Sequence, residues 1–313
     1  MVIGYRKIAL VICTLYSVLC TPLWAQTSAL SIGVRGGGQT YLPDAALGAS
    51  GEVKPGFGGT GALDLRYTYY GSVGGQVELG FGIGAGFGYG AASLKGTNTD
   101  SYSNTDYLGN KMDYTVTSAF TQTDRFAKVD ASLLLAMRFG GVTLNIGPRF
   151  MMPLSATRTL TINEANIDAY YPMYDVHVVN QQITGKLETP YTENRPSNIS
   201  KYNLLVAAEI GYEWHLSDRH LIGIQLFAEA AVWNPKSPIS NIQYPMISVA
   251  PISNANDPVP VVTVGSAESF VAHRRYLDFG IRAYYAFNIE HVVEHRFKPR
   301  GDSRNHRNRY YWW

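Results

Sequence analysis

Cysteine is scarce in this chain of 313 residues, where only Cys13 and Cys20 occur, both near the N-terminus. We expect the first 25 residues to be removed during export, and the mature chain then contains no thiol. A disulfide framework, a cysteine nucleophile and a thiolate metal site are thereby excluded.

An excess of charge of one sign is also lacking. Lys and Arg total 26 and Asp and Glu total 24, so the composition shows no large basic excess that would argue for binding nucleic acid, and we predict no nucleic-acid partner. After residue 25 no apolar run approaches the roughly 20 residues that a membrane-spanning helix requires. The chain is nevertheless 46% hydrophobic, with 31 Gly and 22 Tyr, which argues against disorder.

The N-terminus has the three parts of a secretory signal peptide. Arg6 and Lys7 precede an apolar run from Ile8 to Leu19, and Ala25 ends the segment as a small residue. A membrane anchor would need a longer apolar run. Lipidation at Cys20 is disfavoured because a bulky leucine precedes it. The predicted organisation is a signal peptide at 1–25, one domain at 26–289 and a tail at 290–313.

The mature chain shows strict period-two alternation, which is the pattern of a strand with one apolar face. In the first such segment Leu30, Ile32 and Val34 alternate with Ser31, Gly33 and Arg35. Eight segments share this pattern, at 30–35, 61–69, 76–90, 128–139, 142–152, 202–215, 222–232 and 277–288. We therefore predict eight strands.

The connections between these strands alternate in length. Those at 70–74, 140–141 and 217–220 are short, and those at 40–56, 91–126, 153–201 and 234–272 are long and polar. This pattern resembles the small outer-membrane β-barrel family of the OmpA/OmpX-like eight-stranded type. The resemblance implies an all-β, antiparallel, up-and-down transmembrane barrel with short periplasmic turns and long extracellular loops, located in the outer membrane and surrounded by its lipid.

The predicted inward face carries six cations and seven acids. An eight-stranded lumen is just wide enough to be filled by side chains, so we predict that these charges pair and close it. A proton or ion relay is the alternative. The predicted network consists of Arg35, Asp64, Arg66, Glu78, Lys128, Asp130, Arg138, Arg149, Glu209, Glu213, Glu229, Asp278 and Arg282.

Aromatic residues are predicted to face outward at both ends of the strands, where rings prefer the depth of the lipid headgroups. Those on the turn side are Tyr67, Tyr69, Phe139, Trp214, Tyr285 and Phe287, and those on the loop side are Tyr89 and Tyr202.

Several short motifs suggest chemistry but lack the context that the chemistry needs. Gly80–Ala85 matches a dinucleotide fingerprint, yet its glycines continue with strand periodicity. The H-x-x-E-H match at 291–295 leaves no room for a catalytic domain. The RGD string at 300–302 would lie in the periplasm.

The Asp175/His177 pair resembles the Asp/His pairs of omptin proteases, which have ten strands. An extra strand pair at 157–163 and 176–185 would offer a poor lipid face. We predict no catalytic residue, no cofactor and no metal site.

Function is therefore predicted to be non-enzymatic, and either structural or surface-binding. An extracellular ligand would meet loop residues Tyr170, Tyr171, Tyr174 and Tyr244, since exposed tyrosines give contact area at low entropic cost. The alternative is a subunit of an envelope transport or secretion complex that binds a periplasmic protein through its basic and aromatic tail. The tail candidates are Arg304, Arg307, Arg309, Trp312 and Trp313.

Overall fold

A computed structural model describes residues 26–45, 51–74, 77–105, 109–181, 185–197, 199, 201–233, 247–250, 261–264 and 271–291. The predicted signal peptide, the loop candidate Tyr244 and the tail candidates Arg304, Arg307, Arg309, Trp312 and Trp313 lie outside these residues. The described strands, in chain order, are β1 (Gln26–Ala45), β2 (Gly51–Gly74), β3 (Val77–Thr105), β4 (Lys111–Phe139), β5 (Val142–Tyr171), β6 (Val176–Val179), β7 (Tyr191–Pro196), β8 (Asn203–His215), β9 (His220–Trp233), β10 (Ile247–Ala250), β11 (Val261–Val264) and β12 (Val271–His291).

Eight of these strands form a closed antiparallel ring in the order β1-β2-β3-β4-β5-β8-β9-β12. The ring closes where β1 pairs with β12, from Gln26 opposite His291 to Ala45 opposite Val271. The all-β, eight-stranded antiparallel barrel predicted from the alternation is confirmed. Within the described residues, no helix combines the length and the hydropathy needed to cross a membrane.

The wall of the ring is apolar on the outside because the period-two alternation places one residue type on each face. Leu30, Ile32 and Val34 point outward and are 42%, 60% and 59% exposed, whereas Arg35 on the same strand is buried. The aromatic residues predicted for the two edges of this belt are at least partly exposed on its outer face. An apolar belt between aromatic girdles is the surface that a barrel presents to lipid.

Strands β3, β4 and β5 are far longer than a membrane crossing requires, with 29, 29 and 30 residues. A tilted strand crosses the hydrocarbon with about 9–11 residues. At about 3.3 Å per residue and a tilt near 40°, the remainder reaches roughly 45 Å beyond the belt. We call this projecting part, together with β6 and β7, the ridge. Much of the chain between 91 and 126, and between 153 and 196, is therefore strand, where the sequence analysis placed connections.

The strands β6 and β7 both lie beside β5 on the ridge. β6 pairs with residues 168–171 of β5, and β7 pairs with residues 157–162. The segments considered above as an extra strand pair thus belong largely to the ridge and add no strand to the ring.

The inner face of the ridge is filled by its own apolar core. Tyr114, Phe120, Leu160 and Ile162 are at most 2% exposed there. The hairpin of β10 and β11 packs on this core, with Ile247 fully buried. Beyond the belt the alternation changes from apolar-outward to apolar-inward, so the ridge is built like a sheet of a soluble protein.

Candidate functional site

The lumen brings all thirteen predicted charged residues into ion pairs. Each lies on the inward-facing parity of its strand, so the side chains of opposite walls meet across the barrel axis. All of them are buried except Glu78, which is half-buried. The pairs involve Arg35, Asp64, Arg66, Glu78, Lys128, Asp130, Arg138, Arg149, Glu209, Glu213, Glu229, Asp278 and Arg282.

The layer nearest the short turns is centred on Arg138. Its guanidinium lies 3.1 Å from Glu78 and 2.8 Å from Glu213. The same guanidinium stacks over the ring of Tyr70 at 4.3 Å, and Tyr284 donates a hydrogen bond to Glu213 at 2.6 Å. The sequence analysis did not name the two tyrosines, although their inward parity places them in the lumen.

In the middle layer two arginines each bind one carboxylate in a bidentate manner. Arg66 donates to both oxygens of Glu209 at 2.6 and 2.7 Å. Arg282 donates to Asp64 Oδ2 from Nη2 at 2.7 Å and to Asp64 Oδ1 from Nε at 3.1 Å, and it donates to Gln225 at 3.1 Å. Bidentate, charge-assisted bonds fix both groups in one geometry, which makes this layer rigid.

Next along the axis, Arg35 and Arg149 share the acid Glu229. Arg35 contacts Asp130 and Glu229, each at 2.8 Å. Arg149 contacts Glu229 at 2.6 Å and Glu209 at 3.3 Å, which links this layer to the one below. The side chains of four strands therefore meet across the axis at this height.

Glycine in β3 makes room for these groups. A Cβ atom added at Gly86 would lie 2.8 and 2.9 Å from the two carboxylate oxygens of Asp130. One added at Gly84 would lie 2.8 Å from the hydroxyl of Ser132. Side chains from the neighbouring strand thus occupy the space that glycine leaves open.

A further buried ion pair lies above the lumen, where the ridge begins. Arg158 donates to Asp124 at 2.7 Å, and Ser197 and Tyr41 donate to the same carboxylate at 2.7 and 3.0 Å. The sequence analysis missed Asp124 and Arg158 because it placed both in connections. Asp124 lies two residues before the buried Phe126, and Arg158 lies two residues before the buried Leu160. This continued alternation is the sequence signal that places both side chains on the inner face.

The end of the ridge holds the three loop tyrosines that the structure describes. Tyr174 lies in the turn between β5 and β6 and is 60% exposed, and the neighbouring Met173 is 71% exposed. Tyr170 is half-buried, and its hydroxyl donates to Asp175 at 2.8 Å, which raises the pKa of that phenol. Tyr171 packs against the inner core. The turn thus offers Met173 and Tyr174 to solvent.

One acid–imidazole contact accompanies this turn. His177 Nδ1 lies 3.1 Å from the carboxylate of Asp168, and the His177 ring lies 4.6 Å from that of Tyr170. His177 is 61% exposed at its side chain. In the described part of the chain no three His, Cys, Asp or Glu residues are grouped as a metal site would require.

No family model matches the sequence. No curated protein matches it. Among solved structures it is similar to Ail, the attachment invasion locus protein of Yersinia pestis, at 8% identity and a TM-score of 0.29, covering 84% of this chain and 98% of that one. It is also similar to Neisserial surface protein A, at 7% identity and a TM-score of 0.26, covering 83% of this chain and 96% of that one. A third similar structure is the outer membrane protease OmpT of Escherichia coli, at 9% identity and a TM-score of 0.19, covering 86% of this chain and 98% of that one. These TM-scores are too low to carry an argument, so the architecture described for this chain is based on its own strand pairing.

Proposed function

We propose that this chain is a non-enzymatic outer-membrane protein that binds a ligand outside the cell through the end of its ridge, while paired charges close its lumen. The observation that carries the proposal is the exposed Met173 and Tyr174, held at the far end of a ridge that stands roughly 45 Å above the belt. Met173 and Tyr174 are neighbours and form one exposed apolar patch, and tyrosine is among the residue types that contribute most to binding at protein surfaces.

The ridge supports this proposal because it is rigid enough to present the turn. Its inner face has a packed core, and its strands are paired with one another along their length. A ligand that meets the turn therefore orders little additional chain, which lowers the entropic cost of binding.

The lumen supports the non-transport part of the proposal. Three layers of paired side chains cross the axis, and each pair satisfies charges that would otherwise cost several kcal/mol to bury. A continuous column of water would require these pairs to separate.

The test compares three variants after each is shown to fold by its heat-dependent shift in gel migration. One replaces residues 164–185 by a short Gly/Ser linker, one replaces residues 240–262 in the same way, and one lacks residues 292–313. Reconstituted proteins are then probed on arrays of extracellular proteins and glycans. We expect binding to be lost in the first variant and kept in the third.

A finer comparison uses point substitutions at the turn. Met173→Ser with Tyr174→Ser should abolish binding, whereas Tyr89→Phe in the girdle serves as the matched control. If the folded loop variants bind as the unmodified protein does and removal of 292–313 alone abolishes function, the periplasmic-subunit alternative replaces this proposal.

A further inference from the structure

The outer face of the ridge carries a regular array of hydroxyl and amide side chains. It comprises outward-facing residues of 97–99 in β3, 115–123 in β4, 157–166 in β5 and 192–194 in β7, which we call the hydroxyl face. The strand register sets them in rows: Thr121 lies opposite Thr161, and Thr161 lies opposite Thr192. One row nearer the belt, Thr123 lies opposite Thr159. Rows of this kind are spaced about 4.8 Å across strands and about 6.8 Å along them.

The side chains of the hydroxyl face hold one another in place. The hydroxyls of Thr161 and Thr192 are 3.2 Å apart, and those of Thr99 and Thr117 are 3.4 Å apart. Thr159 donates to Asn194 at 2.8 Å. Asn163 also donates to the Thr121 hydroxyl at 3.2 Å. A threonine hydroxyl offers one donor and two acceptor sites, and these side chains lie on the solvent side of the sheet. The array is thus pre-ordered for a partner that itself carries many hydroxyls.

Charge is sparse on this face. Lys95 lies opposite Thr121 at the β3 end of one row, and Arg125 lies one row nearer the belt than Thr123. The acids Glu164 and Asp168 lie towards the far end of the ridge, as does the Lys111–Asp113 pair. On β2 the exposed Glu52 and Lys54 lie opposite Thr97 and Lys95 and pair with each other, so this pair adds no net charge to the face. Neutral hydroxyl rows with cations at the membrane end match a ligand that is neutral along its length and anionic near the bilayer.

We propose that the hydroxyl face binds the saccharide chains of glycolipids in the outer leaflet of the membrane in which the barrel sits. The face begins just beyond the girdle that contains Tyr89, at the height where such sugars stand, and its strands already pair with one another, which leaves little backbone for an added peptide strand. The inference rests on the proposed outer-membrane location and is independent of what binds at Met173 and Tyr174.

Threonine could lie on this exposed sheet because it binds a ligand or only because its strand propensity is high. Substitution by valine distinguishes these two explanations. Valine has the same shape and an equally high strand propensity but lacks the hydroxyl. Serine keeps the hydroxyl and lowers the propensity. A purely structural role therefore favours valine over serine, and a binding role favours serine over valine.

The experiment uses the full-length mature protein in detergent micelles. The probe is the water-soluble oligosaccharide released by mild acid hydrolysis from the outer-leaflet glycolipid of the host strain, and dextran is the control sugar. The variants are Thr117→Val/Thr121→Val/Thr161→Val and its counterpart with serine at the same positions. Titration calorimetry should show that the valine variant binds the oligosaccharide about tenfold more weakly or worse, since three hydrogen bonds are lost, and that the serine variant binds within a factor of about three.

Equal binding by the valine variant and the unmodified protein would overturn the inference, and so would an equal affinity for dextran. Membrane fractionation and the Met173→Ser/Tyr174→Ser variant keep this result separate from the proposed function. A chain that fractionates with the outer membrane but ignores the oligosaccharide refutes this inference alone. Recovery of the chain as a soluble protein refutes the proposed location.

Discussion

The charged residues of the lumen form buried ion pairs, whereas some ion pairs elsewhere on the protein are exposed to solvent. Lys128 Nζ lies 2.9 Å from Asp278, and both side chains are at most 5% exposed. The surface pair Lys54–Glu52, at 3.1 Å, has almost the same separation with about two thirds of each side chain exposed. Burial, and not distance, should therefore decide what each pair contributes.

Lys128→Met should destabilise the barrel by about 3–5 kcal/mol, because the buried carboxylate of Asp278 loses its partner. The double variant Lys128→Met/Asp278→Asn should recover part of that loss, and Lys54→Met should change stability by less than about 0.5 kcal/mol. Urea unfolding of the refolded protein in lipid vesicles measures all three. Equal effects of the buried and exposed lysines would contradict the closed lumen.

A second residue-level prediction concerns Gly86. Gly86→Ala should cost about 1–3 kcal/mol, because the new methyl group displaces the Asp130 carboxylate from Arg35. Gly36→Ala is the matched control, since a Cβ there meets no atom within 4 Å. The same unfolding assay should find the control neutral or slightly more stable.

Sequence parity predicted which of these residues face inward, but not which of them touch. Arg66 meets Glu209 and Arg282 meets Asp64 from strands that are far apart in the chain. Those partners depend on the register and tilt of the closed ring, and a strand pattern determines neither.

Among the elements, the ridge is where the predicted and observed structures differ most. The rule that lipid-facing residues are apolar ends at the membrane surface, and in β4 the polar Thr115, Thr117 and Thr121 then face outward. Strands with polar outer faces resemble loops when only lipid-facing alternation is sought. The buried Met112, Tyr114 and Val116 alternate with Asp113, Thr115 and Thr117, which shows that the strand continues.

The hairpin of β10 and β11 is joined to the ridge by Arg195, which donates to the carbonyl of Val264 at 2.7 Å. Arg195 also donates twice to Glu193 at 2.5 Å, and these bonds lower the pKa of that carboxyl. Because the folded pKa is lowered, the stabilisation is present above the ordinary glutamate pKa of about 4.3 and is lost as the pH falls through the lowered value.

We therefore expect acidification below about pH 4 to loosen the hairpin, where protonated Glu193 no longer orients Arg195. Hydrogen-exchange mass spectrometry, corrected for the intrinsic pH dependence, should show faster exchange at 261–264. Glu193→Gln should show that faster exchange already at neutral pH and little further change on acidification. Identical pH profiles in the two proteins would show that another group controls the hairpin.

For the whole molecule, the proposed closure of the lumen predicts how the barrel behaves towards ions. In planar bilayers the purified protein should give no steady, porin-sized conductance, because the side chains of Arg35, Arg149 and Glu229 fill the section that ions must cross. The variant with alanine at all three positions should show measurable openings once its folding is verified by gel migration. A stable large conductance from the unmodified monomer would contradict the closed lumen.

The pairing of β1 with β12 has a consequence for biogenesis. Ser28 lies opposite Ile289, so two segments separated by most of the sequence form the seam that completes the ring. Until β12 arrives, β1 and β9 each have an edge whose amides and carbonyls lack these partners, and hydrocarbon does not tolerate such edges. Neighbouring strands such as β3 and β4 pair through contacts that are close in sequence. The ring is completed by a pairing between distant parts of the chain, and such pairings form more slowly. If the ring forms in a membrane, we therefore expect insertion and closure to be coupled at the β1–β12 pairing.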